Sequence, residues 1–105
     1  MRFETVENYA KQFYSPRLDK SRAKDMTKTF WQYPWGTTIM VLYEGEKRTL
    51  RGKQKPEVCW ICIDNAGKVS SIAARHIRNM KQLAGFRFNK DIANIFKELE
   101  LCCLN

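Results

Sequence analysis

The sequence contains no long apolar run, and histidine is almost absent from it. No stretch approaches the roughly 20 consecutive apolar residues that a helix needs to span a bilayer. The first residues include Glu4 and Glu7 and lack the apolar segment of a secretory signal. We therefore predict a cytoplasmic protein that does not associate with membranes. His76 is the single histidine, so little of the chain suits histidine-based catalysis.

The sequence motifs of the common enzyme classes are also missing. There is no glycine-rich phosphate loop, no Gly-x-Ser-x-Gly and no His-Glu-x-x-His. A metal-dependent nuclease would need acidic residues that the fold brings together. The acidic candidates are Glu44, Glu46, Glu57 and Asp64. Their spacing does not indicate that the fold brings them together. We therefore predict a protein that is not an enzyme and has no cofactor.

Negative charge is scarce in the middle of the chain. Residues 47–90 include eleven basic residues and two acidic ones, whereas the rest of the chain sums to −1 within a total of +8. Such an asymmetry favours a polyanionic partner, with nucleic acid first and an acidic protein surface second. The alternative is a solvated surface on which the basic residues serve solubility.

Cysteine occurs four times, and a disulfide framework would suit these residues only in a secreted chain. Cys59-x-x-Cys62 has the spacing of cysteine pairs that bind metals or carry out redox chemistry. The residues that would complete a zinc site are His76, Cys102 and Cys103. The pair lies in a β pattern, however, where residues three apart point to opposite faces. It also lacks the helix N-terminus that activates a thioredoxin-like thiol. We predict buried structural thiols and no metal, with a zinc-binding module as an alternative.

The strongest secondary-structure signal is the stretch Glu57–Asp64. Both of its alternating sets of side chains are apolar or sulfur-bearing, which is typical of a central strand covered on both faces. A second β-prone run extends from Thr37 to Glu44. Gly45-Glu46 then predicts a hairpin turn, and Lys47 to Gly52 predicts an exposed return strand.

A further hairpin is predicted after the central strand. Asp64-Asn65-Ala66-Gly67 suits a turn whose last residue takes positive φ, which glycine tolerates, so that residues 68–72 return antiparallel. An alternative is that Ser70 or Ser71 caps a helix directly, because apolar residues recur at helical spacing beyond this point. Both interpretations predict a helix from about Ala73 to Leu83.

Helices are predicted before and after the strands. Apolar residues recur at helical spacing over residues 3–14, and Ser15-Pro16 ends that helix. A last helix follows Asn89, with an apolar stripe from Ile92 to Cys103. The predicted fold is a single α+β domain over residues 1–105, in which an antiparallel meander of three or four strands packs against an N-terminal helix and two C-terminal helices.

Residues 29–36 contain four aromatic side chains. If exposed, such rings stack on unpaired bases, and we predict this role for Trp31, Tyr33 and Trp35. The alternative is that the rings fill the core of a small domain, where aromatic residues dominate the buried area. A proline and a glycine in the same segment predict a turn into the next strand.

We predict from these patterns a small basic protein that binds nucleic acid, DNA or RNA, without catalysis. Lysine and arginine side chains would hold the phosphates and release condensed counterions. The predicted contacts are Arg48, Arg51, Lys53, Lys55, Arg75, Arg78, Lys81 and Arg87. The alternative is a protein-interaction module, an adaptor or inhibitor encoded by a phage or mobile element, that docks its basic face on an acidic groove of a larger nucleic-acid-processing protein.

Overall fold

The computed structural model of the chain describes residues 3–18, 24–47, 57–64 and 66–83. These residues form an α+β fold with two helices and five strands. In chain order the elements are α1 (Phe3–Ala10), β1 (Phe30–Gln32), β2 (Thr38–Lys47), β3 (Glu57–Asp64), β4 (Val69–Ala73), α2 (Ala74–Ile77) and β5 (Lys81–Leu83). Neither helix in the described ranges is long and apolar enough to cross a bilayer.

The five strands form one antiparallel sheet in the order β4-β3-β2-β1-β5. The first four strands are neighbours in sequence order, so the predicted antiparallel meander is confirmed, although its strands differ in part from those predicted. β5 pairs with β1 at the side of the sheet opposite β4. The connection from β4 to β5, residues 74–80, therefore crosses one face of the sheet, and Ile77 of α2 packs on that face.

Apolar side chains cover both faces of the sheet, and we name each face after the helix that packs on it. On the α1 face, Val6 and Ala10 of the helix are buried against Phe30, Met40, Leu42, Tyr43, Cys59, Ile61 and Ile63. On the α2 face, Ile77 is buried against Ile39, Val41, Trp60, Cys62 and Ile72. Removing this apolar surface from water is the main source of stability. The prediction of a central strand at Glu57–Asp64 with both faces covered is confirmed.

A β-bulge in β2 explains why its apolar residues do not simply alternate. The register of β2 against β3 shifts between Val41 and Tyr43. Leu42 and Tyr43 are adjacent in sequence, and yet both belong to the cluster on the α1 face. An extra residue in one strand resets the alternation of side chains in this way.

The predicted hairpin between β3 and β4 is confirmed. The carboxylate of Asp64 accepts hydrogen bonds from the backbone nitrogens of Ala66 and Lys68, each 2.9 Å long. The backbone N of Gly67 donates to the carbonyl oxygen of Asp64 at 3.0 Å, and Gly67 has a φ of +80°. The alternative in which a serine caps a helix here is wrong, because Ser70 and Ser71 lie inside β4 and pair with β3.

The helix predicted from Ala73 to Leu83 is wrong beyond its first turn. α2 ends at Ile77, and Lys81–Leu83 forms strand β5. Apolar residues recur at helical spacing here because three of them pack on the same cluster. Ile72 does so from β4, Ile77 from α2, and Met80 from the connection that follows α2. Backbone pairing of β5 with β1 outweighs a weak local preference for helix.

The hairpin turn predicted at Gly45-Glu46 is also wrong, because β2 continues to Lys47. Gly45 lies inside the strand opposite Cys59 and is buried. A Cβ atom on Gly45 would lie 2.9 Å from Cδ1 of Ile61 and 3.2 Å from Sγ of Cys59. Glycine is therefore required by the close approach of two buried side chains rather than by a turn. Lys47, the first residue of the predicted return strand, belongs to β2 and pairs with β3, and the rest of that strand, residues 48–52, lies outside the described residues.

Helix α1 is shorter than the predicted residues 3–14. It ends at Ala10, although helix-type hydrogen bonds continue beyond it, and the last of these joins the backbone N of Tyr14 to the carbonyl oxygen of Ala10 at 3.1 Å. Phe13 lies beyond the helix and is 58% exposed, so it does not contribute to the apolar face as predicted. The last predicted helix, after Asn89, lies outside the described residues.

Candidate functional site

Three of the eight basic residues predicted to bind phosphates lie in the described ranges, and all three are exposed. Arg75 belongs to α2, Arg78 is the C-cap residue that follows it, and Lys81 begins β5. The other five lie outside the described residues, and they are Arg48, Arg51, Lys53, Lys55 and Arg87.

The α2 face of the sheet has a cavity on each side of the short helix. Ala74 and Arg78 lie about one helical turn apart and line the first cavity, whereas His76 lines the second. We call the first cavity the tryptophan groove; it has a volume of about 300 Å³ and is lined by residues that include Lys24, Thr29, Trp31, Trp60, Arg78 and Gln82. We call the second the tyrosine groove; it has a volume of about 390 Å³ and is lined by residues that include Tyr33, Pro34, Ser71, His76, Asn79 and Met80.

Two indole rings with different hydrogen bonding line the tryptophan groove. The Nε1 of Trp31 donates to Oγ1 of Thr29 at 2.8 Å, and that hydroxyl donates to the carbonyl oxygen of Met26. These two bonds fix the orientation of the Trp31 ring, which is half-buried. Trp60 is only 2% exposed, and its Nε1 has no hydrogen-bond acceptor among the described residues.

Two cations, Lys24 and Arg78, line the tryptophan groove. Lys24 belongs to the loop before β1, Arg78 is the C-cap of α2, and both side chains are exposed. Asp25 also lines the groove, where its carboxylate accepts a hydrogen bond from the backbone N of Thr27 at 2.9 Å. Aromatic surface and a guanidinium group therefore border a single cavity, an arrangement that suits a planar ring with an attached anion.

Tyr33, which lines the tyrosine groove, stacks on Trp35. The ring centroids of Tyr33 and Trp35 are 4.4 Å apart with an interplanar angle of 11°. The turn after β1 creates this stack, because the backbone N of Gly36 donates to the carbonyl oxygen of Tyr33 at 2.9 Å and Gly36 has a φ of +98°. Trp35 is 72% exposed, so one face of the pair is open to solvent. Burial, together with the nearby charges of Cys62 and Asp64, raises the pKa of Tyr33, which keeps its hydroxyl neutral.

The aromatic segment is divided between the core and the surface of the fold. Phe30 is buried in the core, Trp31 and Tyr33 are half-buried, and Trp35 is exposed. Trp31 and Tyr33 lie on the same face of the sheet because they are two residues apart. They pack against the edge of the cluster on the α2 face.

Lys81 lies apart from the other described cations. It pairs with Gln32, whereas Gln82 pairs with Trp31. Side chains of paired residues share a face, and Trp31 lines a groove on the α2 face, so Lys81 belongs to the α1 face. The structure therefore brings Arg78 together with Trp31 but places Lys81 on the opposite side of the sheet.

The cysteine pair of the Cys59-x-x-Cys62 pattern is divided by the sheet. Cys59 belongs to the cluster on the α1 face and Cys62 to the cluster on the α2 face, as predicted from strand geometry. Burial raises the pKa of the Cys62 thiol, and the neighbouring Cys59 adds to the shift, so Cys62 is a poor nucleophile. No group of three or more His, Cys, Asp or Glu side chains close enough to hold a metal occurs in the described ranges. Cys102 and Cys103 lie outside them.

The exposed His76 has an arginine as its hydrogen-bond partner. Its Nε2 accepts a hydrogen bond from Nε of Arg75 at 3.4 Å. This bond to an arginine does not orient the imidazole for acid–base catalysis.

Three residues of the tryptophan groove were not identifiable as site residues from the sequence. Trp60 has the pattern of a core strand residue, and nothing in the sequence indicates that its ring also lines a groove. Gln82 reaches the groove because β5 pairs with β1, which the helical spacing of the preceding residues conceals. Thr29 gains its role from a hydrogen bond to a ring two residues away.

Comparisons with protein-family models, curated proteins and solved structures gave no match for this chain. The geometry and charge of the two grooves are therefore the basis for a functional proposal.

Proposed function

We propose that this protein binds single-stranded nucleic acid, without catalysis, on its α2 face. The observation that carries the proposal is that Trp31 and Arg78 line the same groove. Proteins that bind unpaired strands combine aromatic rings, on which bases stack, with cations that follow the phosphates. An aromatic residue predicted to stack and a basic residue predicted to hold phosphate thus lie on one surface, from distant parts of the sequence.

The stacked pair of Tyr33 and Trp35 supplies a second platform. The open face of Trp35 has the size and exposure to take one base, and the underlying Tyr33 holds it flat. Bases in a duplex are already stacked on their neighbours and present only their edges, so such a platform favours unpaired bases. Stacking on an aromatic ring is tolerant of sequence, because every base has a flat π-face.

Three exposed cations lie on or beside the α2 face, and we propose that they hold the phosphates. Lys24 and Arg78 line the tryptophan groove, and Arg75 belongs to the helix between the two grooves. Arginine suits this role because its guanidinium can bind a phosphate through two parallel hydrogen bonds. The predicted contacts from the basic residues outside the described ranges stay predictions.

The proposal is tested by fluorescence anisotropy with a labelled strand of 12 nucleotides, as DNA and as RNA, and with the duplex of the same sequence. We expect tighter binding of the single strands than of the duplex. Three phosphate contacts would weaken binding by on the order of tenfold between 50 and 200 mM salt. Because we propose binding without catalysis, the labelled strand should be recovered uncleaved after incubation with the protein and Mg²⁺. Absence of binding, or binding that does not depend on salt, would contradict the proposal.

A protein partner with an acidic groove would give the same dependence on salt, so a separate experiment distinguishes it. The tagged chain is used to recover partners from a lysate treated with nuclease. One stoichiometric protein, recovered from a chain that fails to bind any labelled strand, would favour the protein-interaction module over nucleic-acid binding.

A further inference from the structure

Strand β4 forms one edge of the sheet, and its outer side pairs with no strand in the described part of the chain. Proteins usually protect such an edge with a proline, a charged side chain or a bulge. The sequence of β4 is Val-Ser-Ser-Ile-Ala, which contains no proline and no charge, and its pairing with β3 runs without a shift of register. The outer side of β4 is therefore suited to pairing with a further strand.

The turn before β4 shows which of its backbone groups point outward. The backbone N of Asp64 donates to the carbonyl oxygen of Lys68 at 3.1 Å, so these two residues form a hydrogen-bonded pair. Hydrogen-bonded and non-hydrogen-bonded pairs alternate along an antiparallel ladder. Ser70 therefore bonds to β3, whereas Val69 and Ser71 direct their N–H and C=O groups away from it. These two residues offer donors and acceptors at the spacing that a strand requires.

The tyrosine groove reaches the same edge of the sheet. Ser71, Ile72 and Ala73 of β4 all line it. Ser71 pairs with Ile61, which belongs to the cluster on the α1 face, so the side chain of Ser71 points to the face opposite the groove. Ser71 therefore borders the groove through its main chain. A strand added along β4 would lie beside the groove, with every second side chain on the α2 face.

The lining and the charge of this region favour an apolar side chain between acidic ones. The groove has a volume of about 390 Å³, and its lining includes the apolar residues Ile72 and Met80 and the aromatic Tyr33. Exposed cations lie near both ends of β4, with Lys68 directly before it and Arg75 two residues after it. The sequence contains no acidic residue in positions 65–90. An acidic segment is therefore attracted to this edge.

We propose that the outer edge of β4 binds an extended acidic segment of a partner protein as a further strand, with one apolar side chain of that segment in the tyrosine groove. In this mode of recognition the main-chain hydrogen bonds supply affinity and the groove supplies specificity. The inference goes beyond single-strand binding and does not rest on it, because the groups that bond to the segment belong to the main chain of Val69 and Ser71.

The test uses the native chain and a fluorescent peptide, Glu-Val-Thr-Leu-Thr-Val-Glu, followed by anisotropy. Two matched peptides carry N-methyl groups, one on both threonines and the other on both valines. Successive N–H groups of a strand point to opposite sides, so only one of these two sets faces β4. We expect one methylated peptide to bind as tightly as the parent and the other about tenfold more weakly or worse. Equal affinity of the two methylated peptides would overturn strand addition.

A fourth peptide has lysine in place of both glutamates and tests the acidic class of the partner. We expect it to bind more weakly than the parent, since Lys68 and Arg75 then repel its ends. Equal affinity of the lysine peptide, or no binding of the parent peptide, would contradict the proposal. Arg78→Gln lies in the tryptophan groove and should leave the affinity for the parent peptide unchanged. Peptide binding and nucleic-acid binding are thereby measured separately.

Amide hydrogen exchange, measured in ¹H–¹⁵N spectra, locates the contact on β4. In the free chain we expect fast exchange at Val69 and Ser71. Ser70 and Ile72 should exchange slowly, because their N–H groups bond to β3. Saturation with the parent peptide should slow exchange at Val69 and Ser71. Slow exchange at these two residues without peptide would mean that the edge is already paired, and unchanged exchange at saturation would place the peptide elsewhere, so either result overturns the proposal.

Ser71→Pro tests the edge from the side of the protein. It removes an outward N–H and leaves the hydrogen bonds between β3 and β4 in place, as proline on an edge strand allows. We expect the variant to fold and to bind the parent peptide about tenfold more weakly or worse. Sedimentation of the native chain and the variant provides the last comparison. A native dimer that the variant converts to a monomer would mean that a second copy occupies the edge, and the proposed acidic partner would be wrong.

Discussion

The indole Nε1 of Trp31 donates a hydrogen bond of 2.8 Å to Oγ1 of Thr29, two residues earlier in the chain. The same hydroxyl donates to the carbonyl oxygen of Met26, so the side chain of Thr29 joins the loop before β1 to an aromatic ring of that strand. One wall of the tryptophan groove is therefore positioned by the backbone of the loop and not by packing alone.

Thr29→Val tests this positioning, because valine keeps the shape of threonine and removes the hydroxyl. The half-buried indole N–H loses its acceptor, and we expect a loss of about 1–2 kcal/mol in the free energy of unfolding, measured by urea denaturation. We also expect weaker binding of single strands, because the ring is no longer held flat. Thr38→Val, at a half-buried threonine of β2, is the control, and an equal loss in both variants would contradict the special role of Thr29.

Gly45→Ala is expected to destabilise the protein by about 1–3 kcal/mol, because its Cβ would overpack the core. The new atom would lie 2.9 Å from Cδ1 and 3.1 Å from Cγ1 of Ile61, a buried residue with little space to move. The measurement is again the free energy of unfolding in urea.

Ile61→Val removes the nearer of these two contacts, and it supplies the control for Gly45→Ala. The double variant should be more stable than the sum of the two single effects indicates. Gly36→Ala should show no such coupling, since no atom lies within 4 Å of its Cβ and its cost comes from a φ of +98°. Simple additivity of Gly45→Ala and Ile61→Val would mean that the steric explanation is wrong.

The sequence predicted those parts of the fold in which local and tertiary preferences agree. β3 is apolar on both alternations and is covered on both faces, and the Asp64–Gly67 turn has the residues that its backbone requires. The errors occur where a distant contact outweighs the local pattern. Gly45 is a residue type typical of turns, but here it lies in a strand and leaves space for the buried Ile61. Lys81–Leu83 follows residues with helical spacing, but it pairs with β1 as a strand.

The candidate site was less predictable than the fold for the same reason. Residue type alone identified Trp31, Trp35 and Arg78 as candidates. Their placement around one face depends on the pairing of β1 with β5 and on the path of α2 across the sheet, and neither has a local signature. The separation of Lys81 from Arg78 follows from the same strand, because alternation sends Lys81 to the α1 face.

The pH dependence of stability is expected to include a contribution from Tyr43. Its hydroxyl donates to the carbonyl oxygen of Tyr14 at 2.5 Å. Burial, and then the charges of Glu7, Cys59 and Tyr14, raise the pKa of Tyr43 to about 12 from an ordinary value of 10.0. Below pH 10 the residue is neutral in both states and its contribution is complete. Between about pH 10 and 12 the unfolded chain loses the proton first, so the free energy of unfolding should fall as the pH rises.

Tyr43→Phe isolates this contribution from the other groups that titrate at high pH. Urea denaturation at pH 8, 10, 11 and 12 should show a shallower fall for the variant than for the native chain. At pH 8 the variant should be less stable by about 0.5–1.5 kcal/mol, because it lacks the hydrogen bond to Tyr14. Parallel curves over the whole range would be inconsistent with a raised pKa of Tyr43.

Arg78→Gln should weaken the binding of single strands and reduce its dependence on salt. Loss of one phosphate contact is expected to lower the slope of log K against log salt by about 0.7. Lys11→Gln removes the same formal charge from α1, where the lysine lies 3.3 Å from Glu7, and should leave the slope unchanged. Equal changes in the two variants would indicate a general effect of net charge instead of a contact at the groove.

Trp35→Ala should reduce the affinity for single strands with little effect on folding, because the ring is 72% exposed. Removing one stacking platform costs about 1–3 kcal/mol, which is roughly a 5- to 150-fold increase in Kd. Phe13→Ala is the matched control, since it removes another exposed ring that lies beyond α1 and not in the turn that borders the tyrosine groove. Anisotropy titrations of both variants with the same labelled strand give the comparison. A similar loss in both, or no loss for Trp35→Ala, would contradict the placement of the strand on the α2 face.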